Sequence, residues 1–370
     1  MHETTIGGAK RATVGYELAD VSLVPTKRTR SPELIDVSWQ LDAYPFELPV
    51  VGAPLDAATS PTSATELADL GGLGVLNLEG LWTRYEDPAE VYAEIAQLEQ
   101  GPAATARLQE LYSEPVREEL IGRRVERLKK IGLAAGCLTP GNVERYHRVA
   151  LEAGLGLLMV HGVTVTAQHV AAAGAEPLDL RAFTARYDIP VVVGGVSSAK
   201  SALHLMRTGA VGVLVGAEAA SVSMTEAVLG VHVPLATAIA EVAAARARYL
   251  EEAGRYVQVI VAGGVRTGGE LSKAIACGAD AVMLGRPLAA ADEAPAQGAY
   301  WGPSAAHREM PRSRYERLER LGPMEVVLNG PAHRDDGSVN LIGGLRRAMG
   351  VTGYESLARL REATLTVRAR

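Results

Sequence analysis

The sequence predicts an α/β chain built on one (β/α)8 barrel, and three observations predict it. Eight short apolar runs recur along the chain with helical segments between them. Most of these runs are continuous stretches of Val, Ile, Leu and Ala, as in parallel strands buried on both faces. The stretch VQVIVAGGVRTGGELSKAIACGADAVMLG, Val257 to Gly285, reads strand, glycine turn, helix, strand. Its glycines at the strand ends free backbone N–H groups to face an anion, which suits the last two strands of a phosphate-binding barrel. A doubly wound open sheet is the competing architecture.

The strands, in order, are Pro49–Ala53, Leu73–Leu76, Gly132–Cys137, Leu155–Val160, Pro190–Gly194, Val211–Val215, Val257–Ala262 and Ala281–Leu284. Helical periodicity places helices around Thr62–Leu70, Pro88–Gln97, Asn142–Ala153, Ala167–Ala173, Ala199–Thr208, Leu235–Ala253 and Glu270–Ala276. Two regions break the alternation. Gly101 to Arg127 is charged and helical in pattern, an insertion between the second and third strands. Ala289 to Asp336 is polar and rich in Pro, Gly and Arg, and reads as either a flap over the barrel or a disordered tail, the ordered segment after it favouring the flap. Val339 to Leu360 regains order, with GGLRRAM as a helix, and forms a C-terminal return segment. The whole, 1–370, is expected to be a single domain.

Composition narrows the function classes. The 370 residues carry a net charge of −6, which argues against non-specific nucleic-acid binding. No apolar run approaches the roughly 20 residues of a membrane helix, and the N-terminus lacks a secretory h-region. Two cysteines, Cys137 and Cys277, give no disulfide framework and suit a reducing cytoplasm. The eight histidines show no metal-ligand spacing, so no metal site is expected.

Five blocks, in order along nearly the whole chain, carry a family resemblance: Tyr16 to Pro25 (YELADVSLVP), Ala53 to Pro61 (APLDAATSP) with Gly71 to Asn77 (GGLGVLN), Glu226 to Ala243, Ala262 to Gly285, and Asn340 to Leu357. The chain resembles IMP dehydrogenase and GMP reductase, and within that group the short bacterial relatives without CBS regulatory domains. The resemblance implies a (β/α)8 fold, a purine nucleotide substrate, NAD as cofactor, a role in guanine nucleotide metabolism and a homo-tetramer. It also implies a monovalent cation held by carbonyls of the loop after the sixth strand.

The same comparison of residues marks departures. In the family that loop reads like VGxGPGSxCTT and its cysteine adds to C2 of IMP. Here it reads VGAEAASVSMT from Val215 to Thr225, and Ser223 stands at the cysteine position. A serine hydroxyl is a weak nucleophile without an activating base. Glu218 and Ala220 replace two loop glycines. The family's DGG becomes Ala262-Gly263-Gly264, without the ribose-gripping carboxylate, and His161 stands near a family aspartate beside the nicotinamide.

Candidate site residues follow. Gly263, Gly264 and Gly285 are either phosphate-binding turns or plain strand ends. Ser221 matches the family's phosphate-contacting serine. Arg286 either pairs with a phosphate or blocks the pocket. Arg314 and Tyr315, in PRSRYERL, resemble the Arg-Tyr pair of the family's mobile flap. Asp56 either lines the site or caps a turn, and His161 is either a general base or a hydrogen-bonded bystander. Two functions stay open: an oxidoreductase working without a cysteine thiolate, and a catalytically silent nucleotide sensor.

Overall fold

The computed structural model describes residues 3–167, 169–170, 177–216 and 222–368. Eight parallel strands close into a barrel. They are β1 (Val50–Gly52), β2 (Leu73–Asn77), β3 (Ala135–Leu138), β4 (Leu157–His161), β5 (Val191–Val196), β6 (Gly212–Val215), β7 (Gln258–Ala262) and β8 (Ala281–Leu284). Each pairs with the next, and closure comes from β8 on β1, where Val282, Met283 and Leu284 lie opposite Val50, Val51 and Gly52. All eight are the apolar runs read from the sequence, with ends that agree or differ by at most three residues. Their near-continuous burial is what a sheet covered on both faces requires.

The outer helices are α1 (Pro61–Asp69), α2 (Ala89–Ile95), α3 (Pro102–Leu111), α4 (Glu118–Lys129), α5 (Val143–Glu152), α6 (Leu180–Arg186) and α7 (Ala199–Met206). They continue with α8 (Thr225–Leu229), α9 (Leu235–Ala253), α10 (Gly268–Ala276), α11 (Arg286–Ala289), α12 (Met324–Asn329), α13 (Leu341–Thr352) and α14 (Leu357–Leu360). Capping fixes several starts. Ser60 accepts from Ser63 N ahead of Pro61, and Thr267 and Glu270 form a reciprocal capping box on α10.

Two expectations need correction. The charged segment 101–127 is not one insertion. Its second half belongs to α4, which packs between α1 and α5 as the ordinary crossover from β2 to β3. Leu120, Ile121, Val125 and Leu128 form its buried stripe. Only α2 and α3 are extra. A helix over Ala167–Ala173 is also not found in the part that is described, since 167 and 169–170 are non-helical and 171–173 lie outside the described residues. The crossover helix is α6, started by Asp179, whose side chain accepts from Ala182 N.

The segment 289–336 is tied to the barrel. Ala299–Tyr300 pairs with Glu316–Arg317, and Tyr300, Trp301 and Tyr315 are among the largest fully buried side chains. Residues 307–310 and 331–333 are exposed stretches of it. The return segment closes the molecule. Helix α13 packs on α10, where Gly268 and Gly344 meet so closely that a Cβ on Gly268 would fall 3.0 Å from Gly344 Cα. Leu365–Val367 then pairs antiparallel with Val21–Leu23.

At the other end of the barrel Asp280, 3% exposed, accepts from Arg246 (2.8 Å), Arg361 (2.7 Å), the Tyr256 hydroxyl (2.7 Å) and Val259 N (2.7 Å). That cluster joins α9, β7 and the C-terminal segment around one carboxylate. No helix among the described residues is long and apolar enough to cross a membrane.

Candidate functional site

A cavity of about 700 Å³ opens at the C-terminal ends of the strands. That end is where (β/α)8 enzymes carry their sites, because the loops there are free of the packing that stabilises the opposite end. Strands β6, β7 and β8 are neighbours. The mouth therefore gathers Ser223 after β6, Ala262, Gly263 and Gly264 after β7, and Gly285 and Arg286 after β8.

Glycine is demanded at the phosphate-type turns. Gly263 and Gly264 have φ of 96° and 78°, a left-handed backbone that costs an L-residue about 1–2 kcal/mol. Gly285 precedes the short helix α11, and a Cβ there would fall 2.9 Å from Leu55 Cδ1 and 3.0 Å from the Tyr300 oxygen. A glycine turn after the seventh strand and a short extra helix after the eighth is the arrangement barrels use to hold a phosphate group. Arg286 lines the same wall and donates to Glu316 at 2.6 Å, so its guanidinium is positioned by the 289–336 segment.

The floor is uncharged. It consists of Ala53, Cys137, His161, Ala262 and Met283 from five strand ends, with Asn77 beside them. Cys137 is buried and its thiol is pushed well up by burial and by the nearby Glu79 carboxylate, so it is held protonated. His161 is pushed down to about 4 by burial alone, and its imidazole is neutral at physiological pH. Its Nε2 is fully buried without a hydrogen-bond partner. The charged side chains that line the cavity, among them Glu17, Glu79, Arg84, Arg266 and Glu270, come from positions outside the strands.

Asp56 is not on the cavity surface. Its carboxylate sits behind the wall, accepting from Tyr112 (2.6 Å), Leu81 N (3.1 Å) and Asn77 Nδ2 (3.2 Å). Burial outweighs these donors and raises it to about 6. Gly80 makes room for it, since a Cβ there would meet Asp56 Oδ1 at 2.1 Å. Tyr112 and Asn77 do line the cavity, so Asp56 orients two wall residues.

Ser223 faces the cavity, and its Oγ accepts from Thr225 N at 3.2 Å while its backbone bridges Ser313. Arg314 and Tyr315 are not brought to the cavity. Tyr315 is 2% exposed and donates to Ile95 O at 2.9 Å, bracing the segment against α2, and Arg314 is exposed. Arg312 and His307 line the mouth in their place. Ser221, Glu218 and Ala220, and with them the loop read as a cation site, lie outside the described residues.

Sequence reasoning missed Tyr112, Arg84 and Glu79. Tyr112 directly follows α3, and its hydroxyl also accepts from Trp301 Nε1 at 3.1 Å. The Arg84 guanidinium lies 5.5 Å over the Tyr112 ring. Glu79 accepts from Thr139 Oγ1 (3.1 Å) and Asn142 (2.6 Å). A signal existed for Glu79 alone, which lies two residues beyond the GGLGVLN block at a strand exit.

A family model described as IMP dehydrogenase / GMP reductase domain matches residues 15–369. A protein of Mycobacterium tuberculosis (strain H37Rv), named an uncharacterized oxidoreductase, is 47% identical over 374 residues, covering 98% of this chain and 99% of its own. The inosine-5'-monophosphate dehydrogenase of Pasteurella multocida is 33% identical over 263 residues, 65% of this chain and 50% of its own length. The crystal structure of an IMP dehydrogenase/GMP reductase-like protein from Corynebacterium glutamicum superposes with a TM-score of 0.94 at 40% identity, over 99% of this chain and 98% of that one.

Proposed function

Because the chain belongs to the IMP dehydrogenase / GMP reductase family, we propose that its cavity binds a purine nucleotide and does no cysteine-thiolate chemistry on it. The observation that carries this reading is the gathering of the Gly263-Gly264 turn, Gly285 and α11 at one mouth. These groups receive the phosphate, with Arg286 and, if it keeps its family role, Ser221 assisting. The base enters the barrel toward the uncharged floor.

The second half of the proposal rests on the nucleophiles available. Ser223 faces the cavity with no histidine or carboxylate hydrogen-bonded to its Oγ among the described residues. Cys137 also faces it, but as a buried, protonated thiol. Neither is an activated nucleophile. A catalytically silent nucleotide-binding role follows most directly. The mycobacterial relative, named an uncharacterized oxidoreductase, favours the other reading, an oxidoreductase that moves hydride without a covalent intermediate.

NAD(H) is the cofactor that other reading requires, and the residues present fit a nicotinamide nucleotide. The wall offers the Tyr112 ring under Arg84, and the Glu79 carboxylate lines the same cavity. When bound, NAD(H) would accept or supply hydride. The chain's own residues would orient the ring and exclude water. A homo-tetramer in the cytoplasm is proposed by family analogy.

The test is a thermal-shift and calorimetric screen of the purified protein with IMP, GMP, XMP and NAD(H), and with inosine and guanosine as controls. A ligand of the native state raises the melting temperature by mass action. The expected result is binding of a nucleotide monophosphate at least ~10-fold tighter than its nucleoside. Equal affinity for the two would remove the phosphate assignment. NADH formation or consumption with any nucleotide would favour the oxidoreductase reading.

A further inference from the structure

Among the described residues at the strand ends lining the cavity, His161 is the one with a buried side-chain nitrogen that lacks a hydrogen-bond partner. It ends β4, beside Gly194 of β5 and one residue beyond the pairing of Leu138 with Val160. Its Nε2 is buried with no partner. A buried polar atom left unpaired is destabilising. Its neighbours on the floor are Ala53, Cys137, Ala262 and Met283, none of which carries charge. No carboxylate bonds to it among the described residues: Glu79 accepts from Thr139 and Asn142, and Asp56 from Tyr112, Asn77 and Leu81 N. The imidazole is built to meet something that the protein itself does not provide.

We propose that His161 is the specificity-determining residue of the cavity, its Nε2 hydrogen-bonding the edge of an uncharged heteroaromatic ring and so selecting neutral over ionised rings. The proposal deepens the purine-nucleotide reading and rests on it for the identity of the ring. The chemistry is as follows. A neutral imidazole has one donor and one acceptor nitrogen. The edge of hypoxanthine or guanine offers both a ring N–H and a carbonyl or ring nitrogen, so either tautomer finds a partner. A charged ring has no counter-charge on this floor and loses its hydration on entry. The xanthine ring of XMP gives up a ring proton near neutral pH and is therefore disfavoured. Charged tails are accommodated separately at the rim, where Arg84, Arg266 and Arg286 stand.

The experiment is calorimetry at pH 8 on the full chain with IMP, GMP and XMP, and with nicotinamide and benzamide as uncharged ring probes. It is run on wild type, His161→Phe and His161→Gln, each checked for cooperative unfolding. Imidazole NMR signals of the wild type give a readout that needs no variant. Expected results are IMP or GMP at least ~10-fold tighter than XMP, loss of about 10-fold in IMP affinity in His161→Phe, retention within ~3-fold in His161→Gln, and a shifted His161 ring signal on binding. Equal IMP affinity in wild type and His161→Phe, or an unmoved His161 signal in the saturated protein, overturns the proposal while leaving the purine reading intact. Binding of the ring probes through His161 without any nucleotide binding overturns the purine reading and sustains the role of His161. Binding of neither class overturns both.

Discussion

The Tyr112 hydroxyl donates to Asp56 Oδ2 at 2.6 Å, joining the end of the extra helix α3 to the exit of the first barrel strand. The same oxygen accepts from Trp301 Nε1 at 3.1 Å, so one phenol couples α3, the barrel and the 289–336 segment. This is how two helices outside the (β/α)8 repeat come to shape the cavity wall.

Tyr112→Phe removes a donor from Asp56 and the acceptor of Trp301. The buried groups left behind cost about 1–3 kcal/mol. Denaturant unfolding of the variant is expected to show that loss. The Asp56 carboxyl should also titrate higher than in wild type, because the Tyr112 hydrogen bond is the largest influence lowering it. No change in either quantity would refute this account of the wall.

Stability against pH should show two opposing slopes. His161 falls from 6.5 to about 4 on folding, so the unfolded chain binds its proton more tightly. Its contribution is fully present above about pH 6.5 and is lost as pH falls toward 4. Asp56 rises from 3.8 to about 6, so the folded chain binds its proton more tightly. Its contribution is present below about pH 3.8 and is lost as pH rises through 6. Each shift corresponds to about 3 kcal/mol, and over pH 4–6 they nearly cancel. Asp56→Asn should therefore unmask a loss of stability on acidification from pH 6.5 to 4, and His161→Phe a gain. Parallel slopes in the two variants would contradict this.

Gly285→Ala places a methyl 2.9 Å from Leu55 Cδ1 and 3.0 Å from the Tyr300 oxygen, at the start of α11. The phosphate turn must then shift. IMP affinity is expected to fall about 10-fold toward that of inosine, whose own affinity stays unchanged. A matching fall for inosine would mean that the methyl disturbs the base pocket instead.

Robust NADH production from IMP and NAD is not expected, and Ser223→Cys alone should stay near background. A thiol there attacks only if C2 is held at about 3–3.5 Å, and misplacement by about 1 Å costs on the order of a hundredfold. Ala262 offers no carboxylate to anchor the ribose. Assaying Ser223→Cys beside the triple variant Ser223→Cys, Ala262→Asp, Glu218→Gly separates the two causes. High turnover in the single variant would show that the nucleotide is already well placed.

Asp280→Asn leaves Arg246 and Arg361 facing a neutral amide. Removing one member of a buried charged cluster costs about 3–5 kcal/mol. Because the cluster lies at the end of the barrel opposite the cavity, ligand affinity in the folded variant should equal that of wild type. A thermal scan with and without ligand reads both.

The barrel was legible because its strands are local events. Runs such as Val191–Gly194 and Ala281–Leu284 announce burial on both faces without reference to the rest of the chain. The glycines at the mouth were legible for the same reason. The wall was not, because Tyr112 acquires its role from Asp56 and Trp301, residues 56 and 189 positions away. Arg314 and Tyr315 show the converse. Their spacing matched a flap motif, yet Tyr315 is spent on Ile95 O and the cavity meets Arg312. The α4 boundary was misjudged because its polar face is so charged that the stripe of Leu120, Ile121, Val125 and Leu128 is easily overlooked.

The pairing of Leu365–Val367 with Val21–Leu23 bears on how the protein is made. Leu18 and Ala19, two residues of the cavity wall, sit on the turn that leads into Val21. During synthesis β8 emerges some eighty residues before the strand that pairs with Val21–Leu23. By then the turn is already held by residues made earlier than β8, since Leu235 N donates to Glu17 at 3.0 Å and Lys273 Nζ to Leu18 O at 3.1 Å. The last strand is thus added to an edge that the barrel helices have fixed, and a chain cut short before Leu365 would keep this side of its cavity while leaving Val21–Leu23 unpaired.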